Sequence, residues 1–291
     1  LKQAVEKAKR ALIIGGGFIG MLAAEALRKL KTKLTIVEMA EQLMPQLLDA
    51  EGGKIFARAV ADSGVDLRLG SQVASVAKQK AITVRLKDGG KIETDVLVVA
   101  AGVKPNLGCV KNGAVATRLG ITVDEKLRTS APDVYAAGDV AEVKDFVSGQ
   151  PAVHAIWPTA VDEGRIAGAN MAGADIAYAG SLGMNVVALF GVTLAELGRF
   201  KEIPGDSVEV SGSGQGAYYR KVVIDPKGTV VGAMFLGEPN GVAEMGVIHH
   251  AIKRRESWKQ LRAEGVRPTA SYAAMFARVN PALPRAVKAP S

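Results

Sequence analysis

Residues 13 to 27, IIGGGFIGMLAAEAL, constrain this chain more than any other stretch. They set Gly15, Gly17 and Gly20 in G-x-G-x-x-G spacing between an apolar run, KRALIIGG, and a run of helical periodicity, GFIGMLAAEALRKL. In a strand-turn-helix of this kind the first glycine makes a tight turn. The second lets a ligand phosphate approach the backbone, and the third lets helix and strand pack closely. The free N–H groups at the helix start then face negative charge, so Gly15, Gly17, Phe18, Ile19 and Gly20 are the expected contacts for a dinucleotide pyrophosphate. Ile19, Leu22, Ala23, Ala26, Leu27 and Leu30 are expected to share the helix's apolar face.

KLTIVE completes a βαβ start and ends in Glu38, 23 residues after Gly15. A carboxylate there can accept hydrogen bonds from a ribose 2′-hydroxyl; the alternative is a solvent-facing strand end. No arginine follows in MAEQLMP to hold a 2′-phosphate, so NADH is expected over NADPH. A second helix is expected over DAEGGKIFARAVADSG and a strand at VDLRL. In VASVAKQKAITVRLKDGGKIETDVLVVAAG, antiparallel strands turn at Asp88-Gly89-Gly90 and are closed by the very apolar strand DVLVVAAG.

After Lys104-Pro105-Asn106 the character changes. Short strands and a Thr-Ser-Ala-Pro turn lead to an apolar strand ending at Gly138-Asp139, and WPTAVDEGRIAGANMAG reads as a helix with small residues on one side. Residues 176 to 195 are uncharged for long enough to span a bilayer, but glycine, serine, asparagine and threonine dilute them, so two buried strands are expected instead. AYYRKVVID and TVVGAMFLG flank the turn Asp225-Pro226-Lys227-Gly228, helices follow at VAEMGVIHHAIKRR and WKQLRAEG, and ARVNPALPRAVKAPS reads as a surface arm.

Composition narrows the function classes. The net charge of +8 would suit an anionic partner, yet the basic residues are scattered and no aromatics interleave them, so no nucleic-acid or membrane partner is expected. Cys109 is the only cysteine, which excludes an intrachain disulfide or redox pair and points to a reducing, cytoplasmic compartment. His154, His249 and His250 show no metal-ligand spacing, so no metal is expected. His249 and His250, with Lys253, Arg254 and Arg255, read as a solvated helix face. His154 and Trp157 either line a pocket or pack at a domain junction.

Three blocks in order, GGGFIG, TDVLVVAAGVKPN and TSAPDVYAAGDVAEV with its following helix, make the chain resemble the pyridine nucleotide-disulfide oxidoreductase superfamily. The likeness covers roughly residues 5 to 265 and is nearest to the branch of rubredoxin reductases, nitrite reductase flavoproteins and NADH oxidases. The resemblance implies an α/β protein: a Rossmann-like NAD domain over 1–104, the carboxy-terminal half of an FAD domain over 105–177, and an α+β interface domain over 178–291 that forms a homodimer. It implies that Asp139 bonds the flavin ribityl chain and that Gly138 lets the backbone pass close to it. The helix near Pro158 would aim its N-terminus at the flavin pyrimidine edge, and Gly102 would lie beside the nicotinamide. Cys109 receives no redox role, and no residue receives a catalytic one.

The implied activity is hydride transfer from NADH to FAD and onward passage of electrons to an unidentified acceptor; a non-enzymatic NAD-binding subunit or regulatory module is the alternative. The superfamily's first glycine turn, which holds the ADP half of FAD, is not in this sequence, so the chain reads as a carboxy-terminal piece or a subunit whose partner supplies that half. Leu22 stands where most relatives carry a glutamate near the reacting rings. It either continues the helix's apolar face or marks a slower or altered hydride step.

Overall fold

The computed structural model describes residues 5–30, 32–110, 113–212, 218–237 and 243–263. The expected surface arm and the outer ends of the last two helices lie outside the described residues.

The first apolar runs form a parallel sheet. Strands β1 (Arg10–Ile14), β2 (Lys33–Val37), β3 (Asp66–Arg68) and β7 (Val96–Val99) lie in the order β3-β2-β1-β7. Helix α1 (Phe18–Arg28) joins β1 to β2, and α2 (Ala50–Asp62) joins β2 to β3. Asp49 caps α2, its side chain accepting the Gly52 N–H at 2.9 Å. The crossover to β7 carries an antiparallel meander of β4 (Val73–Lys78), β5 (Ile82–Leu86) and β6 (Lys91–Thr94), turning where Asp88 accepts the Gly90 N–H at 2.8 Å. Alternation along the strands serves two cores: Leu12 and Val37 pack on Val84, Leu86 and Ile92 of the meander, while Ile13 and Ile36 pack on Met21, Ala24 and Phe56 of the helices. Strand β7, the very apolar strand expected to close the meander, is an edge strand of the parallel sheet, and Val99 is 66% exposed.

The α1 face differs from expectation. Gly20, Met21, Ala24 and Leu27 are buried, Ala23 is partly buried, and Ile19, Leu22, Ala26 and Leu30 are exposed. Gly20 decides this rotation: a Cβ there would lie 1.9 Å from the Gly15 carbonyl oxygen, so its bare side must face β1, whatever the leucines would prefer.

The middle of the chain is thinner. Strands β8 (Ile121–Thr122), β9 (Ala141–Lys144) and β10 (Pro151–Ala152) form a small sheet beside helix α3 (Trp157–Met171), around Val115, Ile121, Leu127, Ala136, Ala141, Val143 and Ala167. The apolar segment ending at Gly138 was expected as a strand but makes only an isolated bridge, Arg128 with Tyr135. The Thr129 N–H donates to the Val134 carbonyl at 2.9 Å and the Ala136 N–H to that of Leu127 at 3.2 Å, so one edge is paired; among the described residues no strand lies along the other.

The remainder is a five-stranded antiparallel sheet, β11 (Met184–Leu189), β12 (Val192–Gly198), β13 (Ser207–Gly212), β14 (Tyr218–Ile224) and β15 (Val230–Gly237), ordered β11-β12-β15-β14-β13. The uncharged run of 176 to 195 thus supplies two strands. Only β12 is well buried; β11 is an edge strand with alternating exposure. No helix among the described residues is long and apolar enough to cross a membrane. One sheet face sets Leu194, Met234, Leu236 and Tyr219 against α1 and α2, and the other sets Leu197, Val222 and Phe235 against α4 (Ala243–Arg254) and α5 (Trp258–Ala263). On α4, His250, Lys253 and Arg254 are exposed, while His249 is half-buried.

The β11–β12 hairpin is the anchor between sheets. Phe190 at its tip has a φ of +52° and gives its N–H to Glu25 of α1 at 3.0 Å. Its ring meets Phe56 of α2 edge-on at 6.2 Å, beneath the Arg28 guanidinium at 5.3 Å.

Candidate dinucleotide site

The glycine turn lies at the carboxyl ends of β1, β2 and β7, the crevice where ligands bind in open α/β sheets. Gly15 has a φ of +105°, and a Cβ there would lie 2.3 Å from the Ala100 carbonyl oxygen. The fold therefore requires glycine at positions 15 and 20. At Gly17 nothing among the described residues approaches a Cβ within 4 Å, so the space it leaves open is available to a ligand. Gly17 caps α1 without a side-chain hydrogen bond, and the first turn, with Phe18 and Ile19, holds no acidic residue. Its N–H groups form an uncompensated positive end.

Glu38 is locked across the mouth of this turn. One carboxylate oxygen accepts the Gly16 N–H at 2.5 Å and the other accepts the Ala40 N–H at 2.7 Å. It is therefore more than a solvent-facing strand end, and each oxygen keeps a lone pair for a hydroxyl. Gly16 was not singled out from the sequence because it occupies a variable position of the spacing; here a Cβ would lie 2.5 Å from Leu43 Cδ2. Gly102, with a φ of +107° and open space at its Cβ position, follows β7 on the same side of the sheet. Leu22 is 39% exposed and does not belong to the buried face of α1.

A second cluster forms where Gly138 and Asp139 make a 3-10 turn against α3. Gly138 has a φ of +77°, and a Cβ there would sit 3.3 Å from that of Ala160. Asp139 is exposed, and among the described residues its carboxylate accepts no hydrogen bond. Helix α3 opens with Pro158 in its first turn, without a side-chain cap or an acidic residue there. Trp157 beside it is 79% exposed. His154 instead packs at the junction with the five-stranded sheet: its Nδ1 lies 2.6 Å from Ser181 Oγ and its Nε2 3.6 Å from Asp145. Burial lowers its pKa against the pull of Asp145. Cys109 is exposed, with its sulfur 3.8 Å from the Asn106 carbonyl oxygen.

One residue of this cluster escaped the sequence reading. Glu163 is buried on α3, and its Oε2 accepts the Gly138 N–H at 2.7 Å. The available signal was the spacing of Thr159, Glu163, Ala167 and Asn170, the stripe by which α3 is buried.

Fold and turn together define a class, the α/β proteins of dinucleotide-binding architecture with a glycine turn at the carboxyl end of a parallel sheet. Residues 1–164 match the family model described as pyridine nucleotide-disulphide oxidoreductase, and the chain belongs to that family. It is 32% identical over 269 residues to the epsilon subunit of NADH-dependent phenylglyoxylate dehydrogenase from Aromatoleum evansii, covering 91% of this chain and 63% of that protein. It is 26% identical over 267 residues to an NADH oxidase from Methanocaldococcus jannaschii, covering 87% of this chain and 60% of that one. The structure superposes on an NAD-dependent persulfide reductase from A. fulgidus with a TM-score of 0.81 at 25% identity, over 91% of this chain and 52% of that one. The chain therefore spans less than two thirds of the length of each of these relatives.

Proposed function

We propose that this chain is the NADH-binding and carboxy-terminal part of an FAD-dependent NADH oxidoreductase. The observation that carries the reading is the open Gly17 position beside a carboxylate held across the turn. The NADH pyrophosphate rests on the first N–H groups of α1, where Gly17 leaves room for it. Glu38 accepts the adenosine ribose hydroxyls and repels a 2′-phosphate, which favours NADH over NADPH. Gly102 leaves room for the nicotinamide end. Asp139 takes a ribityl hydroxyl, and the open N-terminus of α3 at Pro158 faces the flavin ring, where its N–H groups favour negative charge. Bound there, the flavin supplies the hydride-accepting chemistry; the chain's own part is binding and orientation.

In this reading residues 1–104 are the NAD domain, 105–177 half of the FAD domain, and 178–291 the interface domain. Residues outside this chain supply the ADP side of the flavin site, a reading supported by the 134–137 segment, whose backbone is paired along one edge. The electron acceptor belongs to another molecule or chain, as favoured by the likeness to an epsilon subunit. A homodimer rests on family resemblance, because both faces of the central strands of the five-stranded sheet are covered within the chain.

The test is to express the chain with the sequence that flanks it in the gene. The product should be yellow, NADH should bleach its flavin band without oxygen, and Asp139→Ala should lose the colour. A colourless protein that still binds NADH would assign the chain to a non-catalytic NAD module.

A further inference from the structure

Glu163 lies behind the Gly138–Asp139 turn, on the side away from solvent. It is 1% exposed, and its Oε2 accepts the N–H of the residue that precedes Asp139. A half-buried N–H left without an acceptor is costly, so the turn needs a group at this position. A neutral amide would serve as well as a carboxylate. The charge is therefore the unexplained part of the arrangement.

We propose that Glu163 is a positioning residue for the flavin, holding the Gly138–Asp139 turn in its binding shape and taking up a proton from solvent when flavin covers the turn. The inference rests on the reading of that turn as part of the flavin site.

The electrostatics have one sign. Burial, opposed by the Gly138 N–H and assisted by the carboxylates of Asp139 and Asp162, pushes Glu163 up to about 7. Across from it the Tyr178 hydroxyl, itself pushed up by burial and by Glu163 and Asp162, stays neutral. Flavin over the turn removes further water and fixes Asp139 close by, and both changes favour the protonated carboxyl. A group that binds its proton more tightly in the complex makes the complex weaker as pH rises. FAD affinity should then fall as pH climbs through and above about 7.

Removing the acceptor and removing the charge should have different effects. The test titrates FAD into the flavin-free protein, expressed with its flanking sequence, across this range and follows flavin fluorescence. Glu163→Ala should weaken FAD by about tenfold or more at every pH, the scale of one lost hydrogen bond to a half-buried donor. Glu163→Gln should bind FAD with an affinity that no longer changes with pH. A wild-type pH profile in the Gln variant, or normal affinity in the Ala variant, would overturn the assignment. If the Ala variant has a collapsed melting temperature, the Gln profile decides alone. Asp139→Ala separates the two levels: if it leaves FAD affinity unchanged, the flavin reading of the turn fails; if it weakens FAD while the Gln variant keeps the wild-type profile, only the role of Glu163 fails.

Discussion

The Gly15–Gly20 turn and the Gly138–Asp139 turn both bring a bare backbone to an open surface, but different forces hold them in place. The first is fixed by backbone against backbone: Ala100 and Gly15 carbonyl oxygens occupy the places where side chains would go. Beneath it one apolar cluster runs from the parallel sheet through α1 and α2 to Leu194, Met234 and Leu236 of the far sheet. The second turn rests on one side-chain acceptor, Glu163, over a core of seven buried apolar residues. Steric fixation is insensitive to solution conditions, whereas fixation by a titrating carboxyl is not. The glycine turn should therefore behave as a rigid receptor and the aspartate turn as an adjustable one.

Gly20→Ala attacks the rigid side and should have the largest effect. Its methyl group would lie 1.9 Å from the Gly15 carbonyl oxygen, so α1 must shift, at a cost of about 3 kcal/mol or more. Gly17→Ala, with none of the described residues within 4 Å, should leave the melting curve in place and weaken NADH by about tenfold or more. Urea unfolding and NADH titration on both variants check the pair, and similar unfolding midpoints would break the comparison.

Next comes the anchor that extends the rigid region into the far sheet. Phe190→Ala loses the contacts with Phe56 and Arg28 but keeps a strained backbone, so a loss of about 3 kcal/mol is expected. Leu127→Ala, in the small core, should cost about 2 to 3 kcal/mol. Calorimetry should show the first variant lowering the main transition; a separate low-temperature transition instead would mean that the two sheets unfold independently.

Glu196 brings pH sensitivity into the rigid region. It is buried on β12, accepts a hydrogen bond from Asn185 at 2.6 Å, and is pushed up to about 7 by that burial. Because its folded pKa lies above its unfolded value of 4.5, its stabilising contribution is complete below that value and disappears as pH rises through about 7. Glu196→Gln should raise the melting temperature at alkaline pH by the equivalent of about 1 to 3 kcal/mol and have little effect in mild acid. An equal shift at both ends would exclude titration as the cause.

The smaller effects concern the ligand. Glu38→Ala should weaken NADH by about 1 to 2 kcal/mol and narrow its advantage over NADPH, measured by titrating both nucleotides. Equal affinities in the wild type would remove the ribose assignment. Leu22→Glu should speed flavin reduction by about tenfold with NADH affinity unchanged, because the side chain is exposed and lies outside the buried face of α1. Stopped-flow reduction that is unchanged or slower would return Leu22 to a packing role.

Much of this was legible in the residues because it is local. The runs flanking Asp225-Pro226-Lys227-Gly228 marked β14 and β15, Asp225 holds their turn by accepting the Lys227 and Thr229 N–H groups at 2.9 and 2.8 Å, and the glycine spacing marked the turn after β1. Each depends on neighbours a few positions away, and backbone dihedrals and strand period determine it. What the tertiary structure alone decided depends on partners far along the chain. The rotation of α1 followed from Gly20 meeting Gly15 rather than from its leucines. The ring of Phe190 found Phe56, and Glu25 took its N–H, across 165 positions of sequence. Apolar residues 134 to 137 had the composition of a strand, but a strand also needs a continuous ladder to a neighbour, and here only the single bridge of Arg128 with Tyr135 forms, which composition does not specify. Glu163 read as one more acid on a helix until folding placed the Gly138 N–H 2.7 Å from it, because burial and hydrogen-bond partners are properties of the packed chain.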